Sequence, residues 1–236
     1  MSVRERIRVA VLALWLAAAS QAGAGPRWSI EGGLLDGRLT TEDFNERVES
    51  KARLSGFAGV AAEWRAQGRS SYVLGLRYEE MPDDLTVGTG FQVFNGGVPY
   101  EMFGRYRLRS QVISFSPRVR FRLRPHFTLG AGPEMRWLLR ASSRISTEFR
   151  PAGGSPSRHA RPAAQIFEDL SKPFDVTGDY ERLGLAVTGG AGFTWPLHAH
   201  EVRMDAGWLE GITDVVKSSS ISRRPRAARL SFGLAW

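Results

Sequence analysis

The chain has 236 residues, with no cysteine, 26 glycines, 12 prolines, a formal charge of +8 and a pI near 10.5. Lack of cysteine excludes disulfides, thiolate metal sites and a lipid-modified N-terminal cysteine. A hydrophobic content of 42% argues against wholesale disorder, and the length suits one domain. The positive charge alone does not choose between nucleic acid and anionic lipid.

The first element in chain order is a targeting segment. Arg4, Arg6 and Arg8 form a basic stretch, Val9 to Ala19 an apolar one, and Ala22-Gly23-Ala24 an A-x-A cleavage site. Residues 1–24 therefore read as a secretory signal peptide and residues 25–236 as the exported domain. Cleavage removes three Arg and one Glu, taking the formal charge from +8 to +6. Export argues against a nucleic-acid partner. No later stretch is apolar enough for a membrane-spanning helix.

The exported chain reads as eight strands of period-two alternation: 27–37, 53–66, 70–80, 110–123, 126–140, 181–195, 201–211 and 227–236. Their connections alternate between short turns and long loops (38–52, 81–109, 141–180 and 212–226). This is the plan of an eight-stranded antiparallel transmembrane β-barrel with up-and-down topology. In the loop 81–109, Asn95-Gly96-Gly97 between apolar runs predicts a hairpin that extends the wall outward. The loop 141–180 carries Pro151, Pro156, Pro162 and Pro173 and reads as irregular.

One strand face carries no charge. It runs through Ile30, Leu34, Leu54, Val60, Leu76, Ile113, Phe115, Pro117, Val119, Leu129, Pro133, Leu185, Val187, Phe193, Met204 and Leu230. One Lys or Arg at a bilayer midplane costs about 2–4 kcal/mol, so lipid demands this absence. Aromatic residues sort to the strand ends. Trp28, Trp64, Tyr72, Phe121, Phe127, Trp195 and Trp236 fall near the short turns, and Tyr78, Trp137 and Trp208 near the long loops, as two interfacial girdles would.

The other face holds Ser29, Ser114, Ser116, Thr128, Thr188, Ser231, Glu79, Arg229 and many glycines. An eight-stranded barrel encloses room only for side chains, so buried charges there must pair. The expected interior network joins Glu31, Glu63, Glu134 and Asp205 with Arg77, Arg118, Arg120, Arg136 and Arg203, in pairs the sequence leaves open. Pro117 and Pro133 fall inside strands of a closed sheet, which predicts β-bulges.

The last strand, with Leu230, Phe232, Leu234 and Trp236, resembles the C-terminal signal read by the barrel assembly machinery, with Trp in place of the usual Phe. Trp28-Ser29-Ile30-Glu31-Gly32-Gly33, Gly56-Phe57-Ala58-Gly59, Ser116-Pro117, Gly130-Ala131-Gly132-Pro133 and Gly189 to Gly192 resemble the PorT-like family of small outer-membrane barrels. More loosely, the chain resembles the OmpA-like eight-stranded barrels. The resemblance implies a bacterial outer-membrane location and, for some members, a part in protein secretion.

Signals for catalysis are sparse. His198-x-His200 has no further ligand at metal spacing, and His159 beside Ser155 and Ser157 lacks an orienting acid or oxyanion hole. The expectation is a non-enzymatic protein without cofactor or metal. Its partners are outer-membrane lipid and the assembly machinery. Envelope proteins are further candidate partners, as is surface lipopolysaccharide, through Arg144, Arg150, Arg158, Arg161, Arg223, Arg224 and Arg226. Structural or adhesive work through the loops leads. A secretion or envelope-assembly component is second, and a barrel enzyme third.

Overall fold

The computed structural model describes residues 25–42, 48–66, 68–95, 98–151, 173–217 and 222–236. The proposed signal peptide and the group around His159 lie outside them, as do Arg158 and Arg161. Nine strands form in chain order: β1 (Arg27–Glu42), β2 (Val48–Arg65), β3 (Ser70–Asn95), β4 (Val98–Arg124), β5 (Phe127–Pro151), β6 (Phe174–Asp175), β7 (Leu183–Leu197), β8 (His200–Gly211) and β9 (Ser222–Ala235). Each long strand pairs antiparallel with the next, β5 pairs with β7 beyond the two-residue β6, and β9 returns to β1. Eight long strands therefore close into an up-and-down barrel. Closure leaves none of them with an unpaired edge around the ring.

The alternation puts Ile30, Leu34, Leu54, Leu76, Val119, Trp137 and Phe232 outside, each more than a third exposed. It puts Glu79, Glu134, Ser114, Ser116 and Leu35 inside, each fully buried. This is the opposite of a water-soluble barrel, in which the apolar row would be the buried one.

Three strands run much farther than period-two counting predicts. β3 and β4 stay paired up to Asn95↔Val98, with one shift of register between Gly88 and Gln92, so the expected hairpin extension is present. β5 follows β4 up to Tyr100↔Pro151, so its strand extends well past residue 140. In β3 and β4 the offset is constant from Ser70↔Phe121 to Gly88↔Phe103, and the outward row simply turns from apolar to charged at Glu80, Arg109 and Arg107; in β5 and β2 the alternation itself is broken. Between the pairs Gln111↔Arg140 and Val112↔Leu138 there is an extra residue, Leu139, in β5. β2 carries a bulge between Ala52 and Phe57 opposite the Pro82 segment of β3. Each extra residue flips the following side chains to the other face, which hides the upper part of β5 and the start of β2 from a period-two reading.

The expected bulges at Pro117 and Pro133 are absent. The register keeps one offset from Phe115↔Met135 to Val119↔Ala131, which sets the two prolines opposite each other. Opposed residues in an antiparallel ladder exchange both N–H groups when they form a hydrogen-bonded pair. Two prolines at such a pair confine the loss to each other. The ladders on their other sides, Leu74↔Pro117 and Pro133↔Val187, continue in register. The strands also come close here. A Cβ on Gly132 would stand 2.0 Å from the Pro117 carbonyl oxygen, so this position takes only glycine. Pro117, on the outward row, is itself covered rather than exposed.

Candidate functional site: an ionic core, an apolar mouth and an outward belt

The interior is built in layers. At its centre, Arg229 of β9 crosses the lumen to two carboxylates. It donates from Nη1 to Glu134 at 2.6 Å, and from Nη2 to Glu134 at 2.8 Å and Glu79 at 2.7 Å. Arg136 lies 3.2 Å from Glu79 and 3.6 Å from Glu134. Ser114 Oγ donates to Glu79 at 3.1 Å. Arg77 donates to Glu31 at 2.5 Å, and its guanidinium lies 5.7 Å from the Phe57 ring centroid. Charge-assisted bonds of this kind are the strong class, and here they tie β1, β3, β5 and β9 together across the barrel.

A second node lies toward the short turns. Glu63 holds Arg203 at 2.5 Å and Arg120 at 3.1 Å, and Arg120 reaches Asp205 at 3.6 Å. Arg203 continues to Glu201 at 3.4 Å, which also takes Arg27 at 2.5 Å. Arg118 lies 3.9 Å from Glu31 of the first node. All nine residues expected for the interior network are therefore brought together. Its hub was not among them: Glu79 and Arg229 sit on the inward face, but only the fold puts them within reach of Glu134 and Arg136. With them included, five carboxylates face six guanidiniums.

Beyond the ionic core, toward the long loops, the filling becomes apolar. Leu35, Phe57, Met81, Ala186, Leu209 and Ala227 form one buried cluster. Leu108, Val112, Leu138, Ala141 and Tyr180 form another at the mouth, with Val176, Val215 and Val216 packed on it. The sequence reading missed this layer because inward positions were expected to be polar or small. Two segments roof the mouth. Residues 173–182 dock on β5 through Ser142↔Asp175 and Val176 N–H to Ala141 O at 3.0 Å. Residues 212–217 bridge to them through Tyr180↔Val216. Asp175 accepts from Thr177 N at 2.8 Å and Thr177 Oγ1 at 2.5 Å, and these bonds hold its carboxyl below the usual value. Burial pushes the Tyr180 hydroxyl up.

The outward belt carries the aromatics at its two ends. Trp28, Phe121, Trp195 and Trp236 are 43–52% exposed at the short-turn end, and Tyr78, Trp137 and Trp208 are 42–56% exposed toward the long loops. Trp64, Tyr72 and Phe127 are half-buried in the same outward rows. The Trp208 ring lies over Gly189 of β7, where a Cβ would come within 2.4 Å of it. Ten residue steps from Phe127 to Trp137 span roughly 34 Å along the strand, or about 24 Å at a 45° tilt. An outer-membrane apolar band is about 25 Å tall. Leu230 and Phe232, expected from the sequence to belong to an assembly signal, line the outward face of β9, and Trp236 N–H closes onto Trp28 O at 3.0 Å.

The three described histidines form no common site. His126 Nδ1 lies 2.9 Å from Thr194 O and its ring stacks on Phe193 at 6.0 Å, whereas His198 and His200 flank a tight turn with His198 at φ 54°. Among the described residues, no group of three His, Asp or Glu side chains is arranged to hold a metal ion.

No family profile matches the chain, and no curated protein does. Solved structures resemble it at low similarity. The attachment invasion locus protein of Yersinia pestis shares 10% identity at a TM-score of 0.42, covering 90% of this chain and 100% of that one. Neisserial surface protein A shares 12% at a TM-score of 0.40, over 88% and 95%. The outer-membrane protein OprG of Pseudomonas aeruginosa shares 8% at a TM-score of 0.34, over 92% and 98%. Similarities of this size do not assign a function.

Proposed function

We propose that the chain is an integral outer-membrane β-barrel with a side-chain-filled interior, acting through surface contacts at its long-loop end. One observation carries this reading: an uncharged apolar belt, bounded by aromatics, surrounds a barrel whose charges at the height of the belt are all inside. In water that arrangement would expose the belt at large cost. In lipid that cost vanishes, since the belt meets hydrocarbon and the closed ladder satisfies the backbone, while the interior charges are held by pairing with each other in either medium.

Export by the segment 1–24 and assembly through Leu230, Phe232, Leu234 and Trp236 complete this reading. The interior, filled by ion pairs and then by apolar side chains, suits a structural or adhesive barrel better than a diffusion pore. A role in secretion or envelope assembly is the second reading. It draws on the PorT-like resemblance and on the wall of β3, β4 and β5 rising past the belt, which offers a protein partner a broad face. No catalytic role is proposed.

The test is to fold the exported chain into detergent micelles and read gel mobility before and after boiling, beside far-UV circular dichroism. A strand-rich spectrum with a band that shifts only on boiling is expected. A stable monomer that needs no detergent would overturn the proposal.

A further inference from the structure

The outward face above the belt is charged very unevenly around the barrel. On the β7–β8–β9–β1 side it is balanced. Glu210 takes Arg226 through two bonds of 2.7 Å, Asp214 lies 3.4 Å from Arg224, and Asp36 and Arg38 make a third pair of opposite sign on β1.

On the β3–β4–β5 side the registers stack three successive outward rows directly beyond Tyr78, Ile113 and Trp137. These are Glu80↔Gln111↔Arg140, then Pro82↔Arg109↔Ser142, then Asp84↔Arg107↔Arg144. Arg105 follows in the next row, and Lys51 and Arg53 of β2 flank Asp84. Seven cations thus share these rows with four anions, Glu49 opposite Thr86, Glu80, Asp84 and Asp175, a local excess of +3. Asp84 is nearly buried beneath Arg53 at 2.7 Å, Arg105 at 3.0 Å and Arg107 at 3.8 Å. One carboxylate therefore gathers three guanidiniums without neutralising them. Arg109 is 68% exposed and only 4.0 Å from Glu80 at its nearest. A recess of about 270 Å³ opens among four guanidiniums, of Arg53, Arg107, Arg109 and Arg144, and two buried carboxylates, of Asp83 and Asp84.

The height of this patch decides its partner. Arg109 lies four residues beyond Ile113, roughly 13 Å along the strand and about 10 Å in height. That is the headgroup layer, and the side chains point sideways toward lipid rather than up into solvent. Guanidinium forks match phosphate oxygens in geometry and charge.

We propose that this face of β3–β4–β5 binds the phosphorylated headgroups of outer-leaflet glycolipid, so that the barrel carries an oriented lipid shell on one side. The inference rests on the outer-membrane reading. The probe is diphosphoryl lipid A in phosphatidylcholine vesicles, with the full exported chain folded into them. Its retention on the purified protein is compared with that of dephosphorylated lipid A and with competition by soluble pyrophosphate. Each basic side chain near an anionic surface contributes about fivefold in affinity, so Arg107→Ser, Arg109→Ser and Arg144→Ser together should weaken retention on the order of 100-fold.

Arg226→Ser with Arg38→Ser, on the balanced side, should leave retention unchanged. High salt should weaken retention by the native chain, which keeps the proposal testable should the triple variant fold poorly. Equal retention of dephosphorylated lipid, or equal loss from both sets of substitutions, would overturn it. So would displacement by pyrophosphate as effective as exchange with lipid A, since the ligand would then be free phosphate. Failure of the chain to insert into phosphatidylcholine alone would sink the outer-membrane reading. Insertion without any lipid A preference would sink only this inference.

Discussion

The lower barrel and its mouth are filled by different physics. In the lower barrel, Glu79, Glu134, Arg136 and Arg229 sit at 0–8% exposure in one bonded network. At the mouth, Leu108, Val112, Leu138 and Tyr180 pack apolar surface under two loop segments. An ionic core is all-or-nothing, because removing one partner strands the others in a low dielectric. An apolar cap loses stability in proportion to the contacts removed. The barrel therefore has a specified, rigid floor and a mouth able to open without unfolding the rest.

Substitutions in the two layers should separate these behaviours. Glu134→Gln, which leaves Arg229 and Arg136 short of a counter-charge, should cost about 3–5 kcal/mol, read from urea unfolding of the folded barrel in micelles. A loss below about 1 kcal/mol would mean water reaches this layer freely. Leu138→Ala at the mouth should cost about 2–3 kcal/mol, with amide exchange accelerating at Val176 while the β1–β9 seam stays protected. Uniform acceleration of both would break the distinction. Gly189→Val, which displaces the Trp208 ring on the outward face, should cost about 1–3 kcal/mol and change tryptophan emission without altering the interior.

The pH response should come from the mouth at both extremes. The Asp175 carboxyl is held below its ordinary 3.8, so its stabilising bonds to Thr177 are present above that value and fade as pH falls through the lower folded value. The Tyr180 hydroxyl is held above its ordinary 10.0, so its contribution is full below that value and fades as pH rises past it. Exchange at the Val176 amide, slowest near neutrality and faster at both ends, is the expected profile after correction for intrinsic rates. A flat profile would remove these two groups from the latch. The smallest effect belongs to Arg226→Ser. Its exposed pair with Glu210 should shift the unfolding midpoint least of these changes, and less still in high salt.

Much of this was legible in the sequence. Ile30, Leu76 and Phe232 fall outside, and Glu31, Arg77 and Arg203 inside, because successive side chains of any strand must alternate. That local rule fixed eight strands, the sign of the two faces and the membership of nearly all the ionic core. It failed where a bulge reversed the parity, in β5 at Leu139 and in β2 between Ala52 and Phe57, and where the outward rows of β3 and β4 turn from apolar to charged at Glu80 and Arg109. It also could not choose partners. Arg229 reaches Glu79 and Glu134 across the lumen, from positions 150 and 95 residues away, only because ring closure and register bring β9 opposite β3 and β5.

The same holds for the prolines. Each alone predicts a broken ladder, and only the β4–β5 register shows that Pro117 and Pro133 face each other. The basic wall likewise needed the pairing of β3, β4 and β5 to bring Arg107, Arg109 and Arg144 into one surface. Chemistry along one strand is set by local sterics and so is written in the sequence. Chemistry between strands depends on register and closure, which only the folded barrel fixes.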